Sequence, residues 1–369
     1  MQITAAVVRE RAGPFVLEPI ELDDPRPGEV LVQVAASGMC HTDLHGRDGY
    51  YGTPFPAVFG HEGAGRVLAV GSGVKSVAPG DQVIMSFPWC GTCPNCQAHV
   101  PAHCMHQWEL KMRGTRADGS TLMRKDAAPV YSAFFQQSSF GTRAISQERF
   151  VVKVRSDAPL DHLGPLACGV QTGAGAVLNV IQPKAGDSIA VFGVGGVGLS
   201  ALMAAKLAGC DPIIAVDIHA SRLALARELG ATHTIESKAG TDLPAEIRKL
   251  TGYGVRHAVE TTAIPAIFRQ AVEALMPLGT CILLGSARPG TDVSLEMPKL
   301  QDGRGVRGVI QGWSEPQVFL PRLVDLMMEG KLPVERLLTF YDFADINRAA
   351  ADAASGKTIK PVLRMPQRD

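Results

Sequence analysis

Net charge is the first thing this chain lacks. Thirty-six Lys and Arg are balanced by 36 Asp and Glu. That argues against a protein that holds DNA, RNA or an acidic membrane surface by bulk charge. Aromatic residues are scarce, at 6%, so a base-stacking platform is not expected. No continuous apolar run reaches the length of about 20 residues that a membrane span needs. Residues 163–183 and 188–205 carry no charge, but Pro165, Gln171, Asn179 and Pro183 interrupt the first and Gly193, Gly195, Gly196 and Gly198 the second. The N-terminus MQITAAVVRERAG lacks the apolar region of a signal peptide. A cytoplasmic location is therefore expected, with the eight cysteines as reduced thiols. Short repeats, low-complexity segments and long linkers are absent too.

What is present is a chain of 369 residues, 46% hydrophobic, enough for two or three domains with large cores. The first 160 residues read as short β-segments, such as 30–35, 65–70 and 82–85, broken by Pro27-Gly28 and Pro79-Gly80. From Asp187 the rhythm changes. Apolar runs at 188–192, 213–216, 257–260 and 281–284 alternate with helix-like pieces, as βαβ units on a parallel sheet require. An amphipathic helix over 316–329 and a strand over 359–363 close the chain. The fold class is α/β.

Three groups of residues carry chemistry. Cys90, Cys93, Cys96 and Cys104 lie within fifteen residues, among the turn-formers Pro88, Gly91 and Pro94. Four thiolates aimed at one point suit a closed, structural zinc ion. An iron–sulfur cluster is the rival reading. The interspersed His99, His103 and His106 read as surface residues. Cys40, His61 and Cys168 are each set among glycines. Two thiolates and an imidazole would leave zinc an open position, although spacing this wide does not establish a site. Gly193-Val194-Gly195-Gly196-Val197-Gly198 follows an apolar strand and opens a helix of small residues, with Asp217 ending the next strand. This context fits a dinucleotide: the pyrophosphate approaches the helix N-terminus, and Asp217 accepts from the ribose and repels a 2′-phosphate. NAD is favoured over NADP.

Together these residues, with Gly60-His61-Glu62 and Gly80-Asp81-Gln82-Val83, resemble the zinc-dependent medium-chain alcohol dehydrogenases along essentially the whole chain. Gln137-Ser138-Ser139-Phe140, the segment 169–175 and the tail 343–363 resemble the bacterial aryl-alcohol (benzyl-alcohol) dehydrogenases. The resemblance implies a GroES-like, mostly-β catalytic domain over 1–170 with a zinc lobe at 88–106. A Rossmann NAD-binding domain over 171–315 follows, and 316–369 returns to the catalytic domain. It also implies two Zn²⁺ per chain. Cys40, His61 and Cys168 would hold the catalytic ion, with Glu62 as a transient ligand and Asp43 orienting His61. Cys90, Cys93, Cys96 and Cys104 would hold the structural ion. Thr42 would bond the alcohol oxygen and pass its proton through the nicotinamide ribose to His45. His41, Arg222 and Lys360 would join Gly193, Gly195, Gly196, Val197, Gly198 and Asp217 in binding the cofactor. Phe87, Trp89, Tyr50 and Tyr51 are candidate aromatic walls. The implied reaction is reversible oxidation of primary alcohols, aromatic or allylic, to aldehydes. A homodimer is expected, its contact at 300–312, with a tetramer as alternative; nucleic acid and membrane are not expected partners.

Other readings share parts of this pattern. An S-(hydroxymethyl)glutathione dehydrogenase would need a basic anchor, for which Lys111, Arg113, Arg116 and Arg124 are candidates. A general aliphatic or polyol dehydrogenase would differ in its pocket. A non-catalytic scaffold would have lost ligands that remain here.

Overall fold

The computed structural model describes residues 1–366. They divide into two compact units. One comprises residues 1–168 with Glu315–Met328 and the chain from Val334 onward; the other comprises Gly169–Ser314 with Glu329–Pro333.

The first unit is built on two β-sheets. In one, Gln2–Val8 pairs with Phe15–Leu22 and with Ala57–Val58, and Met123–Lys125 and Ala128–Val130 extend it. In the other, Glu29–Gly38 is central. It pairs antiparallel with Glu62–Val70, Arg143–Gln147 and Lys360–Arg364. Two register shifts interrupt its ladder to Glu62–Val70, one between Leu31 and Val32 and one between Val34 and Ala36. Inward-facing Val30, Val32, Val34, Met39, Phe59, Met85, Phe134 and Phe140 form one core with the first sheet.

The chain end completes this unit. Pro316–Met328 is helical, and its buried Phe319, Leu320, Leu323, Val324 and Met327 recur at helical spacing. Strand Lys360–Arg364 then brings Val362 opposite Gly38, which is itself opposite Glu62. A residue from the last tenth of the sequence thus reaches the strand that begins beside His61.

The second unit is a six-stranded, all-parallel sheet. In order across the sheet the strands are His233–Glu236, Ile213–Asp217, Ile189–Phe192, Val255–Glu260, Leu275–Leu283 and Gly305–Gly308. Counted along the chain this is 3-2-1-4-5-6, the order of the doubly wound dinucleotide-binding fold. The central strands are buried and rich in Ile, Val and Ala, as a sheet covered on both faces requires. Helix Gly196–Leu207 packs tightly on Gly169–Gly175: a Cβ on Gly173 would lie 2.0 Å from the Val197 carbonyl oxygen. The first and last strands of the sheet escape the alternation read from sequence. His233–Glu236 and Gly305–Gly308 have four residues each and are not buried, so neither carries an apolar run. Among the described residues no single helix is long and apolar enough to cross a membrane.

Candidate active site

The site begins at the end of strand Glu29–Gly38. Cys40 precedes helix His41–Arg47 in extended conformation. Its backbone N–H donates to Asp43 Oδ2 at 2.9 Å. The other oxygen of Asp43 accepts from Gly60 N at 3.1 Å and lies 2.8 Å from His61 Nδ1. Asp43 is fully buried, so one carboxylate ties the Cys40 turn to the Gly60-His61 turn. The contact keeps a proton on Nδ1 and makes Nε2 the nitrogen that faces the cluster. Nε2 points to Cys168 Sγ at 3.2 Å.

Cys168 arrives by a close approach of backbones. A Cβ on Gly164 would lie 2.2 Å from the Glu62 carbonyl oxygen, so only glycine lets the Gly164–Ala167 turn lie on that strand. One potential ligand atom from each of Cys40, His61, Glu62 and Cys168 falls within 4.8 Å of the others. Three widely separated sequence positions are therefore brought together.

The electrostatics of this cluster are those of a cation site. The hydrogen bond between Cys168 and Cys40 holds Cys40 well below the usual thiol range and pushes Cys168 above it. Burial opposes a charged His61, but Asp43 and Cys40 outweigh it and push the imidazole up to about 10. Burial pushes Glu62 up to about 7 against the pull of Lys360. Among the described residues Glu62 Oε2 has no hydrogen-bond partner. Two thiols, an imidazole whose Nε2 becomes a ligand once its proton leaves, and a nearby carboxylate suit zinc, so the residues fit the ion that the sequence resemblance implies.

Cys90, Cys93, Cys96 and Cys104 form a second group with all four sulfurs within 4.8 Å of one another. None is in a disulfide. Backbone N–H groups of Thr92, Cys93, Met105 and His106 point at the sulfurs at 3.3–3.5 Å. Burial of Cys90 is more than offset by the Thr92 amide and hydroxyl and the Cys93 amide, which bring its thiol to about 5. Of the interspersed histidines, His99 and His106 are exposed and His103 is half-buried, so the surface reading fails for His103.

Around the first cluster, Thr42 Oγ1 lies 3.7 Å from Cys40 Sγ. His45 is half-buried; its Nδ1 is 3.3 Å from the Tyr51 hydroxyl and its ring stacks on Tyr50 at 4.7 Å. Tyr51 packs edge-on against Trp108 at 5.4 Å. Phe87 is buried and Trp89 half-buried.

Sequence reasoning gives no role to residues 134–136 and takes Gln137 and Ser138 only as part of a family resemblance. Phe135, Gln136 and Ser138 all have positive φ, 50°, 56° and 47°, a concentration of strain that a packed surrounding must hold. The result is the Phe135 ring 4.5 Å from the His61 ring. Gln137, fully buried, donates from Nε2 to His61 O and Met85 O and accepts from Gly63 N, each at 3.1 Å. The aromatic pair Phe134-Phe135 before Gln136-Gln137 is a signal of sorts, but no periodicity marks it.

Lys360 differs from the sequence expectation. Its ammonium is buried, 2.7 Å from Glu62 Oε1 and 3.3 Å from Met39 O. His41 is exposed. The basic residues weighed as a glutathione anchor are mostly occupied. Arg116 pairs with Glu29 and Asp23, Arg124 with Asp23, and Arg113 with Glu109.

In the second unit, the glycines divide the labour of a phosphate loop. Gly193 has φ +84°, which opens the turn, and its carbonyl accepts from Thr261 Oγ1 at 2.7 Å. A Cβ on Gly198 would lie 1.9 Å from the Gly193 carbonyl oxygen, whereas one on Gly195 would meet nothing within 4 Å. Gly195 therefore leaves an open face at the N-terminus of helix Gly196–Leu207, where a pyrophosphate can approach. Asp217 accepts from Val194 N at 2.8 Å and His219 N at 2.9 Å. A carboxylate has about four acceptor positions, so capacity remains for ribose hydroxyls. Arg222 stands 3.9 Å from it.

Comparison with known proteins fixes the family. Residues 26–155 match the alcohol dehydrogenase GroES-like domain and residues 196–327 the zinc-binding dehydrogenase domain. The chain is a member of the zinc-dependent medium-chain alcohol dehydrogenases. This dehydrogenase is 43% identical to geraniol dehydrogenase of Castellaniella defragrans, over 97% of its own length and 96% of that protein's. It is similar to the crystal structure of benzyl alcohol dehydrogenase from Acinetobacter calcoaceticus, with TM-score 0.95 and 42% identity over 99% and 100% of the two chains. An alcohol dehydrogenase zinc-binding domain protein from Burkholderia ambifaria gives TM-score 0.97 at 48% identity, with full coverage of both chains.

The buried Glu62–Lys360 pair generates a stability prediction. Lys360→Met removes the counter-charge of Glu62, so the carboxyl holds its proton to higher pH. Unfolding of the metal-depleted protein in denaturant is expected to show a loss that grows as pH rises above neutral, toward about 3–5 kcal/mol. A change within about 0.5 kcal/mol, as for a surface residue, would contradict the buried pair.

Proposed function

We propose that this dehydrogenase oxidises primary alcohols, aromatic or allylic, to aldehydes with NAD⁺, reversibly. The observation that carries the reading is the Cys40–His61–Cys168 cluster with aromatic rings against it. Phe135 lies on His61, and the Tyr51 ring stands edge-on to His45 with its hydroxyl 3.3 Å from Nδ1. Such walls suit a flat, unsaturated alcohol. The two named relatives act, by their names, on benzyl alcohol, which is aromatic, and geraniol, which is allylic.

In this reading Cys40, His61 and Cys168 hold one zinc ion and Cys90, Cys93, Cys96 and Cys104 a second. When bound, zinc supplies Lewis acidity and NAD⁺ the hydride acceptor. The chain's own residues do the rest. Asp43 keeps the His61 proton on Nδ1. Thr42 takes the alcohol proton, and His45 is the onward acceptor, its ring held by Tyr50 and Tyr51. Glu62, with one oxygen on Lys360 and the other unpartnered, is a carboxylate in reserve for zinc. Gly193, Gly195, Gly196, Val197 and Gly198 receive the pyrophosphate, and Asp217 and Arg222 the adenosine ribose, with His41 at the phosphates. Edge strand Gly305–Gly308 presents open backbone groups and a 40% exposed Val306, and pairing of two such edges would make the homodimer.

Two measurements test the reading. Protein purified without chelator should contain about two zinc ions per chain; Cys168→Ser should lose turnover while keeping NAD⁺ affinity. One zinc ion per chain, with turnover surviving Cys168→Ser, would sink the assignment. Asp217→Ala should weaken NAD⁺ binding about 10–100-fold, the scale of a charge-assisted hydrogen bond, and relax discrimination against NADP⁺. Wild-type preference for NADP⁺ would contradict the role given to Asp217.

A further inference from the structure

Lys111 is a buried cation with no carboxylate partner among the described residues. It lies in the last turn of helix Gln107–Met112 and is 5% exposed. Its ammonium donates to Gln107 Oε1 at 2.8 Å. Among the described residues it pairs with no carboxylate. Instead it stands over two aromatic rings, 5.7 Å from the centre of Phe87 and 5.5 Å from that of Phe135. An ammonium has three donors, and one hydrogen bond leaves it far from satisfied. Removing such a charge from water is costly, and a Met would fill the same space at less cost. Burial lowers its pKa to about 8, against the attraction of Cys168 and Cys104.

The position of this charge relates it to the reacting centre. The Phe135 ring beneath it lies on the imidazole of His61. Gln136, next in the same strained segment, donates from Nε2 to Leu110 O at 3.0 Å. That bond fixes the Lys111 helix to the loop that aims Phe135. The ammonium is therefore held one ring away from the metal-binding cluster, on the aromatic side of it.

We propose that Lys111 is a specificity-determining residue that binds a carboxylate or phenolic oxygen at the far end of the substrate. The assignment rests on the alcohol oxidation proposed above. An alcohol whose hydroxymethyl group lies at Cys40, His61 and Cys168, and whose ring lies along Phe135, carries a para substituent toward Lys111. A carboxylate there supplies the charged direct partner that Gln107 does not. An apolar substituent of the same size leaves the ammonium unpaired and excludes the water that could solvate it. The substrate class is thus an aromatic alcohol bearing an anionic or strongly accepting group remote from the carbinol carbon.

The test compares 4-(hydroxymethyl)benzoate with 4-methylbenzyl alcohol, using the zinc-loaded enzyme and NAD⁺. Wild type should favour the carboxylate in kcat/KM, mainly through a lower KM. Lys111→Met should reduce that preference about 10–100-fold, the range for a hydrogen bond to a charged group, and Lys111→Arg should restore part of it. A preference unchanged within about twofold in Lys111→Met, or wild type favouring the methyl compound, would overturn the proposal. Ligand-induced thermal stabilisation of zinc-loaded protein by the same two compounds gives a readout independent of turnover. Wild type should be stabilised more by the carboxylate, and Lys111→Met should not. If neither alcohol is oxidised, the parent reading fails, while this binding comparison still decides the role of the lysine.

Discussion

The Asp43 carboxylate is the constraint on which the candidate metal site depends. It is buried and shared by three groups: the Cys40 amide, the Gly60 amide and the His61 ring. Two turns on different strands are thereby held in one arrangement. A buried carboxylate is costly unless its lone pairs are used, so the cost and the geometry have the same solution. Everything further out is built on it. Glu62 follows His61 and meets Lys360 from the chain end. Cys168 reaches His61 only because Gly164 allows two backbones to touch.

The surroundings hold that arrangement from the other side. Gln137 uses both ends of its amide on the strand from His61 to Gly63. The positive-φ residues around it press Phe135 onto the imidazole. Strain of this kind persists only where packing over-determines it, and Phe134 and Phe140 supply that packing. The nucleotide-binding unit follows a different principle. Its glycines are needed for opposite reasons: Gly198 because there is no room for a side chain, Gly195 because an open face must be kept.

Much of this was legible in the sequence. The strand–glycine–helix passage at 189–207 announces a parallel sheet, because apolar runs and helical pieces alternate there. The lobe at Cys90–Cys104 is local, so its spacing speaks for itself. Cys40, His61 and Cys168 are different. Nothing in their spacing joins them, and they were associated through resemblance alone; their proximity is a product of the long-range pairing of Glu29–Gly38 with Glu62–Val70. The pairing of Lys360 with Glu62 is hidden from the sequence for a related reason. Sequence shows a basic residue near the chain end but not that the closing strand places it beside Glu62. Lys111 read as one of several basic residues, since burial of a single charge leaves no pattern in a short helix. Phe135 owes its position to backbone conformations that non-glycine residues rarely adopt.

Retention of metal against a chelator tests the dependence on Asp43 most directly. Zinc-loaded wild type and Asp43→Asn would be equilibrated with increasing chelator and their remaining zinc measured. The amide cannot accept the Cys40 amide hydrogen and hold His61 with a full charge at once. One of the two ions should therefore leave Asp43→Asn at about 10–100-fold lower chelator concentration, the usual effect of losing a partner behind a ligating histidine. The other, held by the four-cysteine lobe, should leave as in wild type. Identical release of both ions from the two proteins would contradict the account.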